Sequence, residues 1–468
     1  MSRPVFESKA GFSIVVRGET REGKTVTNSA TLQRAIANAI SFNMSARGRV
    51  ALPGVTGAVE PYAKRLERLF AHLGKPFSAK ELVQLCENLA KSLETAAAQD
   101  SPTQLLVSYE PAPFPRQGLV YGVQVARTEA PINALLTQGQ LVLPCVPALC
   151  DAYLKQLANL FAGLTYPLNE EQRDRLRQML QRELEKGFVL SPQSRIRVVY
   201  GTGTPPQTGL NCKVSVAARS LSEQARDILA KTPDYLEKLP SLTKVTDVGT
   251  AIDPQDSTAL VATVGTAQHA LPLARHGFAV DAFELATPFA AKLRDLVESD
   301  NLAVSVTTDD ILDPLVSLKP NSYRLAVVSE VASRLQNGDA LKALLSKLAN
   351  ALVPGGTLLF NLFLADDGVE FDRVALEAAR AANSTIVTRS QLEEVLADLP
   401  LTPTNETPVL DYERQHRPED APKLDPWYVR WAAGQQVFAT AKPPISLHWI
   451  TCDRTSDTEP SSSEPVQL

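Results

Sequence analysis

Three acids stand just beyond short apolar runs: Glu284 after Ala279-Val-Asp-Ala-Phe283, Asp310 beyond Ala303-Val-Ser-Val-Thr307, and Glu330 beyond Tyr323-Arg-Leu-Ala-Val-Val328. Runs of this length bounded by turn residues read as buried strands, and open α/β sheets bind ligands beyond the carboxyl ends of their strands. Glu284 follows the turn Gly265-Thr266-Ala267-Gln268 by roughly 20 residues, the spacing that sets an acid on a ribose in a nucleoside-binding fold. A carboxylate there can accept charge-assisted hydrogen bonds from both hydroxyls. The alternative for Glu284 is an acid capping the next helix, and for Glu330 an acid starting one, where the helix dipole favours it. Later, Asp411-Tyr-Glu-Arg-Gln-His-Arg417 offers Tyr412 and His416 as candidate bases. A histidine between Glu413 and Arg417 can equally be a solvated loop residue. Trp427, Tyr428 and Trp431 would form a lid or pack in a core.

The elements that must carry these residues follow in order. A strand over 259–264 runs into the 265–268 turn and a helix that Gly277 ends; strands at 279–283, 303–307 and 323–328 come next. A helix then leads through Val353-Pro-Gly-Gly356 into a strand from Thr357 to Phe360, and late strands are expected at 435–440 and 445–452. Over roughly residues 245 to 452 these pieces resemble the class I S-adenosylmethionine-dependent methyltransferases. The strongest resemblance lies in Ala270-Leu-Pro-Leu-Ala-Arg-His-Gly-Phe-Ala-Val-Asp-Ala-Phe-Glu284 and in the 344–360 helix, Pro-Gly-Gly turn and strand. The layout also resembles bacterial, chiefly cyanobacterial, proteins that join such a domain to an N-terminal extension.

The resemblance implies a Rossmann-like doubly wound α/β sheet and S-adenosylmethionine as cofactor. It implies cofactor-binding roles for Gly265, Thr266, Glu284, Asp310, Ile311 and Ser329. Asp310, with Asp309 as its rival, would accept from the adenine amino group beside an apolar Ile311. Ser329 and Glu330 would face the methyl group or its acceptor, so Glu330 joins Tyr412 and His416 as a catalytic candidate. The chain departs from the family in the first turn. Thr263, Gly265 and Ala267 stand at the three usual glycine positions, where a Cβ atom hinders close approach of backbone to ligand. Methyl transfer from a sulfonium is an in-line displacement that positioning and exclusion of water can promote, so no triad or metal site is required. The leading expectation is methyl transfer to a small-molecule or protein acceptor; the alternative is a binding or scaffold descendant of the fold. Nicotinamide redox chemistry is disfavoured, because its phosphate loop is missing.

The front half repeats itself at an offset of 91 residues, which aligns 52–127 with 143–218. Leu52-Pro53 matches Leu143-Pro144, Tyr62 matches Tyr153, Leu69-Phe70-Ala71 matches Leu160-Phe161-Ala162, and Leu85, Leu89 and Leu93 match Leu176, Leu180 and Leu184. Each copy reads as two amphipathic helices followed by two strands, with Ser78 or Asn169 capping the second helix. A strand over 12–17 and a helix over 31–42 would precede the first copy. The expected organisation is therefore a duplicated α+β domain over 1–225, a linker over 226–257, the doubly wound domain over 258–452 and a disordered tail over 453–468.

The net charge of −5 gives no reason to expect nucleic acid or an anionic membrane as partner, and no apolar run suits a membrane span or signal core. The five cysteines lack a C-x-x-C pair and read as reduced thiols in a cytoplasmic protein, with no metal. The repeat is a candidate surface for a homodimer or a protein partner.

Overall fold

The computed structural model describes residues 29–43, 45–99, 102–111, 119–128, 136–191, 193–202, 209–218, 220–238, 241–264, 269–335 and 337–455. The expected strand over 12–17 lies outside them. Contacts divide the described residues into two units, one holding those of 36–219 with 372–383, the other holding those of 29–35, 220–371 and 384–455.

Helix α1 (Ser29–Asn43) leads into the first of two similar series of elements. The first runs β1 (Ser45–Pro53), α2 (Val59–His72), α3 (Ala79–Ala97), β2 (Thr103–Pro111) and β3 (Leu119–Arg127). The second runs β4 (Leu136–Pro144), α4 (Cys150–Gly163), α5 (Glu170–Leu190), β5 (Arg195–Thr202) and β6 (Leu210–Ala217). All six strands form one antiparallel sheet in the order β3-β2-β1-β4-β5-β6. The sequence reading missed β1 and β4, because each carries a central glycine, Gly48 or Gly139, which weakens a strand signal. Those glycines lie opposite one another where β1 pairs with β4. Helical spacing buries Tyr62, Leu66 and Leu69 of α2 and Leu85, Leu89 and Leu93 of α3. Ser78 and Asn169 each close a capping box, with Glu81 and Gln172 respectively. Tyr62 donates to the Pro53 carbonyl at 2.8 Å, and Tyr153 to that of Pro144 at 3.0 Å.

In the other unit, α6 (Leu221–Lys231), α7 (Tyr235–Lys238) and α8 (Thr243–Thr250) occupy most of the stretch expected as a linker. Capping explains the first: Ser220 and Glu223 form a capping box. Then follow β7 (Thr258–Thr263), α9 (Ala270–His276), β8 (Ala279–Glu284), α10 (Thr287–Ser299), β9 (Val304–Thr307), β10 (Tyr323–Ser329), α11 (Gly338–Ala351) and β11 (Leu352–Ala365). After α12 (Arg373–Ala381), which belongs to the front unit, come β12 (Ile386–Val387), α13 (Arg389–Ala397), β13 (Leu401–Pro408), α14 (Val409–His416), α15 (Pro426–Ala432) and β14 (Ile445–Arg454). The strands form an eight-stranded sheet ordered β13-β14-β11-β10-β7-β8-β9, with β12 beside β11. Pairings from β9 through β11 are parallel, whereas β14 is antiparallel to β11 and β13. The chain steps outward from β7 to β9 and then returns to the other side of β7 with β10. That reversal makes the carboxyl ends of β7 and β10 a topological switch point. The Rossmann-like doubly wound sheet is present as expected.

Two expectations need correction. Residues 435–440 form a turn rather than a strand: Gly434 has φ +75° and its carbonyl accepts from the Phe438 N–H, while Val437 and Phe438 are buried. The edge strand is instead β13, whose Leu-Thr-Pro-Thr-Asn-Glu-Thr-Pro sequence conceals it, since prolines are tolerated at an edge. The expected tail overlaps β14 at Asp453 and Arg454, and residues 456–468 lie outside the described ones. Among the described residues no helix is long and apolar enough to cross a membrane.

Candidate active site

The strand ends at the switch point bring Thr263, Glu284, Ser329 and Glu330 to one side of the sheet. Thr263 and Glu284 are register partners across β7 and β8. Glu284 is fully buried; Thr263 donates its hydroxyl to Oε2 at 3.3 Å, and the Ala286 N–H donates to Oε1 at 2.8 Å. These bonds fix the carboxylate's orientation. Asp310 accepts from the Leu312 N–H at 3.0 Å, and its other oxygen lies 4.0 Å from Arg334 Nη2. Ile311 is buried, and Lys347 of α11 holds this loop by donating to the Ile311 and Asp313 carbonyls at 2.9 and 2.8 Å. Thr263, Asp309, Asp310, Ile311 and Arg334 line a small cleft. Gly265 and Thr266 lie outside the described residues.

Ser329 and Glu330 are organised by Asn361 of β11. Its amide oxygen accepts from the Glu330 N–H at 2.6 Å and its nitrogen donates to Ser329 Oγ at 3.2 Å, with Ser329 and Asn361 both fully buried. Glu330 adopts φ +64°, in the left-handed region that non-glycine residues rarely occupy. Its carbonyl accepts from Ser333 Oγ at 2.8 Å. The Glu330 carboxyl and the hydroxyl of Tyr428, on α15, are both enclosed and face each other as side-chain hydrogen-bond partners. Burial, then the charge of Glu284, pushes the Glu330 carboxyl up to about 8. Burial lowers the Arg334 pKa, opposed by Asp310 and Glu284.

No family model matches the chain, and no curated protein matches it in sequence. Among solved structures it is similar to a geranyl diphosphate C-methyltransferase from Streptomyces coelicolor, at 15% identity over 46% of this chain and 76% of that one, with a TM-score of 0.34. It is similar to the cyclase SpnF at 14% identity over 51% of this chain and 97% of that one, TM-score 0.35. A phosphoethanolamine N-methyltransferase from Haemonchus contortus matches at 15% identity over 52% and 63%, TM-score 0.36. At such identities a likeness concerns the fold alone. The sheet itself is doubly wound, parallel from β9 to β11 with β14 antiparallel beside β11.

Tyr412 and His416 stand apart from the cleft. Tyr412 donates to Asp247 Oδ2 on α8 at 2.7 Å, and the His416 ring stacks on it at 4.0 Å while Nδ1 lies 3.0 Å from the Tyr412 carbonyl. Between them Glu413 is buried and accepts from the Thr243 N–H at 2.6 Å, from Thr243 Oγ1 at 2.9 Å and from Arg417 at 2.6 Å. This arrangement ties α14 to α8. Of the aromatic trio, Trp431 is buried edge-on to Phe363 at 5.1 Å and Trp427 is exposed. Sequence reasoning missed Asn361, Arg334 and His269. His269 precedes α9, is fully buried, and meets Ser241 Oγ at 2.9 Å through Nδ1; burial lowers its pKa to about 4. Asn361 had a signal, as a lone polar residue within Leu358-Leu-Phe-Asn-Leu-Phe-Leu364; Arg334, in a short turn, had none.

Proposed function

We propose that the doubly wound unit binds S-adenosylmethionine and transfers its methyl group to a small-molecule or protein acceptor. The observation that carries this reading is the convergence of Glu284, Asp310 and Glu330 at the switch point. That acidic set suits a ligand offering ribose hydroxyls, an amino group and positive charge. Glu284 would hold the ribose hydroxyls, Asp310 the adenine amino group, and the buried Ile311 the face of the ring. Ser329 and Glu330, clamped by Asn361, would lie toward the methyl group and its acceptor. When bound, the cofactor supplies an electrophilic methyl on a sulfonium. The protein's own part is to orient both reactants and exclude water, and Tyr428, enclosed beside Glu330, supports that exclusion. All five cysteines are free thiols, which supports a cytoplasmic location. The front unit is proposed to hold a protein partner or a second copy of the chain.

A scaffold reading has one specific observation in its favour. Thr263, standing at a glycine position, occupies the Glu284 carboxylate with its own hydroxyl. Calorimetry with S-adenosylmethionine and S-adenosylhomocysteine separates the two readings. Binding is expected, and Glu284→Ala should weaken it roughly ten- to more than a hundredfold, the loss of a charge-assisted hydrogen bond. Absence of heat with either ligand at millimolar concentration removes the methyltransferase reading and leaves the scaffold.

A further inference from the structure

Helices of both series pack on one face of the six-stranded sheet, with Phe70 of α2 against Tyr109 and Phe161 of α4 against Tyr200. Strand alternation turns the neighbours of those tyrosines to the other face. There Arg47, Arg49, Ser108, Gln138 and Val199 are exposed and line an open groove. The strand registers arrange this face in rows. In one, Arg47 stands opposite Gln140, and Gln140 opposite Val199. In the next, Gly122, Ser108, Arg49, Gln138 and Gly201 follow one another across β3, β2, β1, β4 and β5.

The groove is positively charged. Arg47 Nη2 donates to Gln140 Oε1 at 3.2 Å, and Arg49 Nη2 to the amide oxygen of Gln138 at 2.8 Å, with that amide oriented as its neighbours require. These bonds hold the two guanidinium groups in place without neutralising them. Arg197 and Lys213 add charge on β5 and β6 of the same face, and Glu110 is the single acid among the lining residues. The glycines of the second row have no internal reason to be glycine, since a Cβ on Gly122 or Gly201 would meet nothing closer than 3.6 Å. Registers through both are continuous, which excludes a bulge. Strand glycines also mark places where a ligand or another backbone comes close.

These features suit an extended acidic peptide. Guanidinium forks match carboxylates, and glutamine amides offer peptide groups both a donor and an acceptor. Nucleic acid is a poorer fit, because Tyr109, Tyr121 and Tyr200 turn their rings to the helix face and leave none for base stacking. Residues 456–468, outside the described ones, carry Asp457, Glu459 and Glu464 and no Lys, Arg or His. Asp457 and Glu459 are two positions apart, as are Arg47 and Arg49. In extended chains that spacing sets both side chains on one side, roughly 6.5–7 Å apart. Resting on the reading that the front unit holds a second copy of the chain, we infer that this groove binds segment 456–468 of that copy, with Asp457 and Glu459 on Arg47 and Arg49. Two copies exchanging their segments form a closed dimer. Exposed ion pairs are individually weak and screened by salt, so the association is salt-sensitive.

The test is light scattering on the full-length protein over a range of concentrations, at about 0.05 M and about 0.5 M salt. Dimers should form at low salt and dissociate at high salt. Arg47→Gln with Arg49→Gln should weaken dimerisation roughly tenfold or more, and Asp457→Asn with Glu459→Gln should do the same. The second variant leaves the groove untouched, so a labelled peptide of residues 456–468 should bind it at low salt, and should bind the arginine variant roughly tenfold more weakly. Dimers unchanged in both variants, or no binding of the peptide to the second variant, would overturn the docking of this segment while leaving the second-copy reading intact. A chain that stays monomeric at low salt at every concentration would overturn both.

Discussion

The hydroxyls of Tyr109 and Tyr200 meet at 2.8 Å in the buried centre of the front unit, 91 residues apart. That separation equals the 91-residue offset read in the sequence, so two residues that the offset aligns bond to each other. They lie where β1 and β4 pair through Gly48 and Gly139, also one offset apart. A Cβ on Gly48 would come within 2.7 Å of the Tyr109 hydroxyl, and one on Gly139 would collide with that of Tyr200. The glycines that conceal these strands in the sequence are what admit the tyrosine pair.

Tyr109→Phe should cost about 1–3 kcal/mol by leaving the Tyr200 hydroxyl buried without its partner. Replacing both tyrosines by Phe should cost less than the sum of the single changes. Urea denaturation of the four proteins gives the coupling directly. Additive losses would mean that the two hydroxyls do not stabilise each other. Gly139→Ala should destabilise more than Gly201→Ala, whose added Cβ meets ordinary contacts of 3.6 Å or more.

Most of the doubly wound sheet was legible, because fully buried parallel strands write themselves as apolar runs: Ala259-Leu-Val-Ala262 and Leu325-Ala-Val-Val328 are buried throughout. The positions of Glu284 and Asp310 follow from strand ends. What stayed hidden depends on contacts distant in sequence. Asn361 acts on Ser329 and Glu330 from 31 or more residues away, and Tyr428 encloses Glu330 from another helix. The edge strand β13 was hidden because an edge requires neither apolar alternation nor a full set of backbone donors.

Asn361→Leu should both destabilise the sheet unit and perturb its ligand site. It strands the Glu330 N–H and removes a partner of Ser329 Oγ, at a cost of about 1–3 kcal/mol. Fluorescence-detected unfolding measures the stability, and cofactor titration measures the site. An unchanged affinity would show that the left-handed turn at Glu330 does not depend on its clamp.

Two buried groups should give stability opposite pH dependences in the ligand-free protein. The Glu330 pKa is raised to about 8, so the unfolded chain loses this proton first and stability falls from about pH 4.5 to about 8. His269 is depressed to about 4, so the unfolded chain gains a proton first and stability falls from about pH 6.5 down to about 4. Each contributes at most about 1.4 kcal/mol per pH unit within its window. Glu330→Gln should therefore raise the melting temperature at pH 8 more than at pH 5. An equal shift at both pH values would place the Glu330 titration outside that window.

Helix α12 makes the last prediction, because it follows β11 in the chain yet belongs to the front unit. Glu377 on this helix is buried, accepts from the Ala148 N–H at 2.7 Å and pairs with Arg373 at 2.6 Å. Ala148 lies in the turn that opens α4, where unpaired backbone donors need an acceptor. Gln193 and the Phe188 ring contact Arg380 from the same unit. Glu377→Ala should therefore lower the stability of the front unit by about 1–3 kcal/mol, while Glu377→Gln, which keeps an acceptor oxygen, should lose less. A fragment of residues 220–468 would leave Glu377 and the apolar face of Ala375, Ala378 and Ala379 without the surface they pack on. It should melt lower or aggregate more than the same fragment with 372–383 replaced by a short polar loop. Light scattering and thermal melts of the two fragments decide the matter; identical behaviour would show that α12 contributes nothing the sheet unit cannot do without.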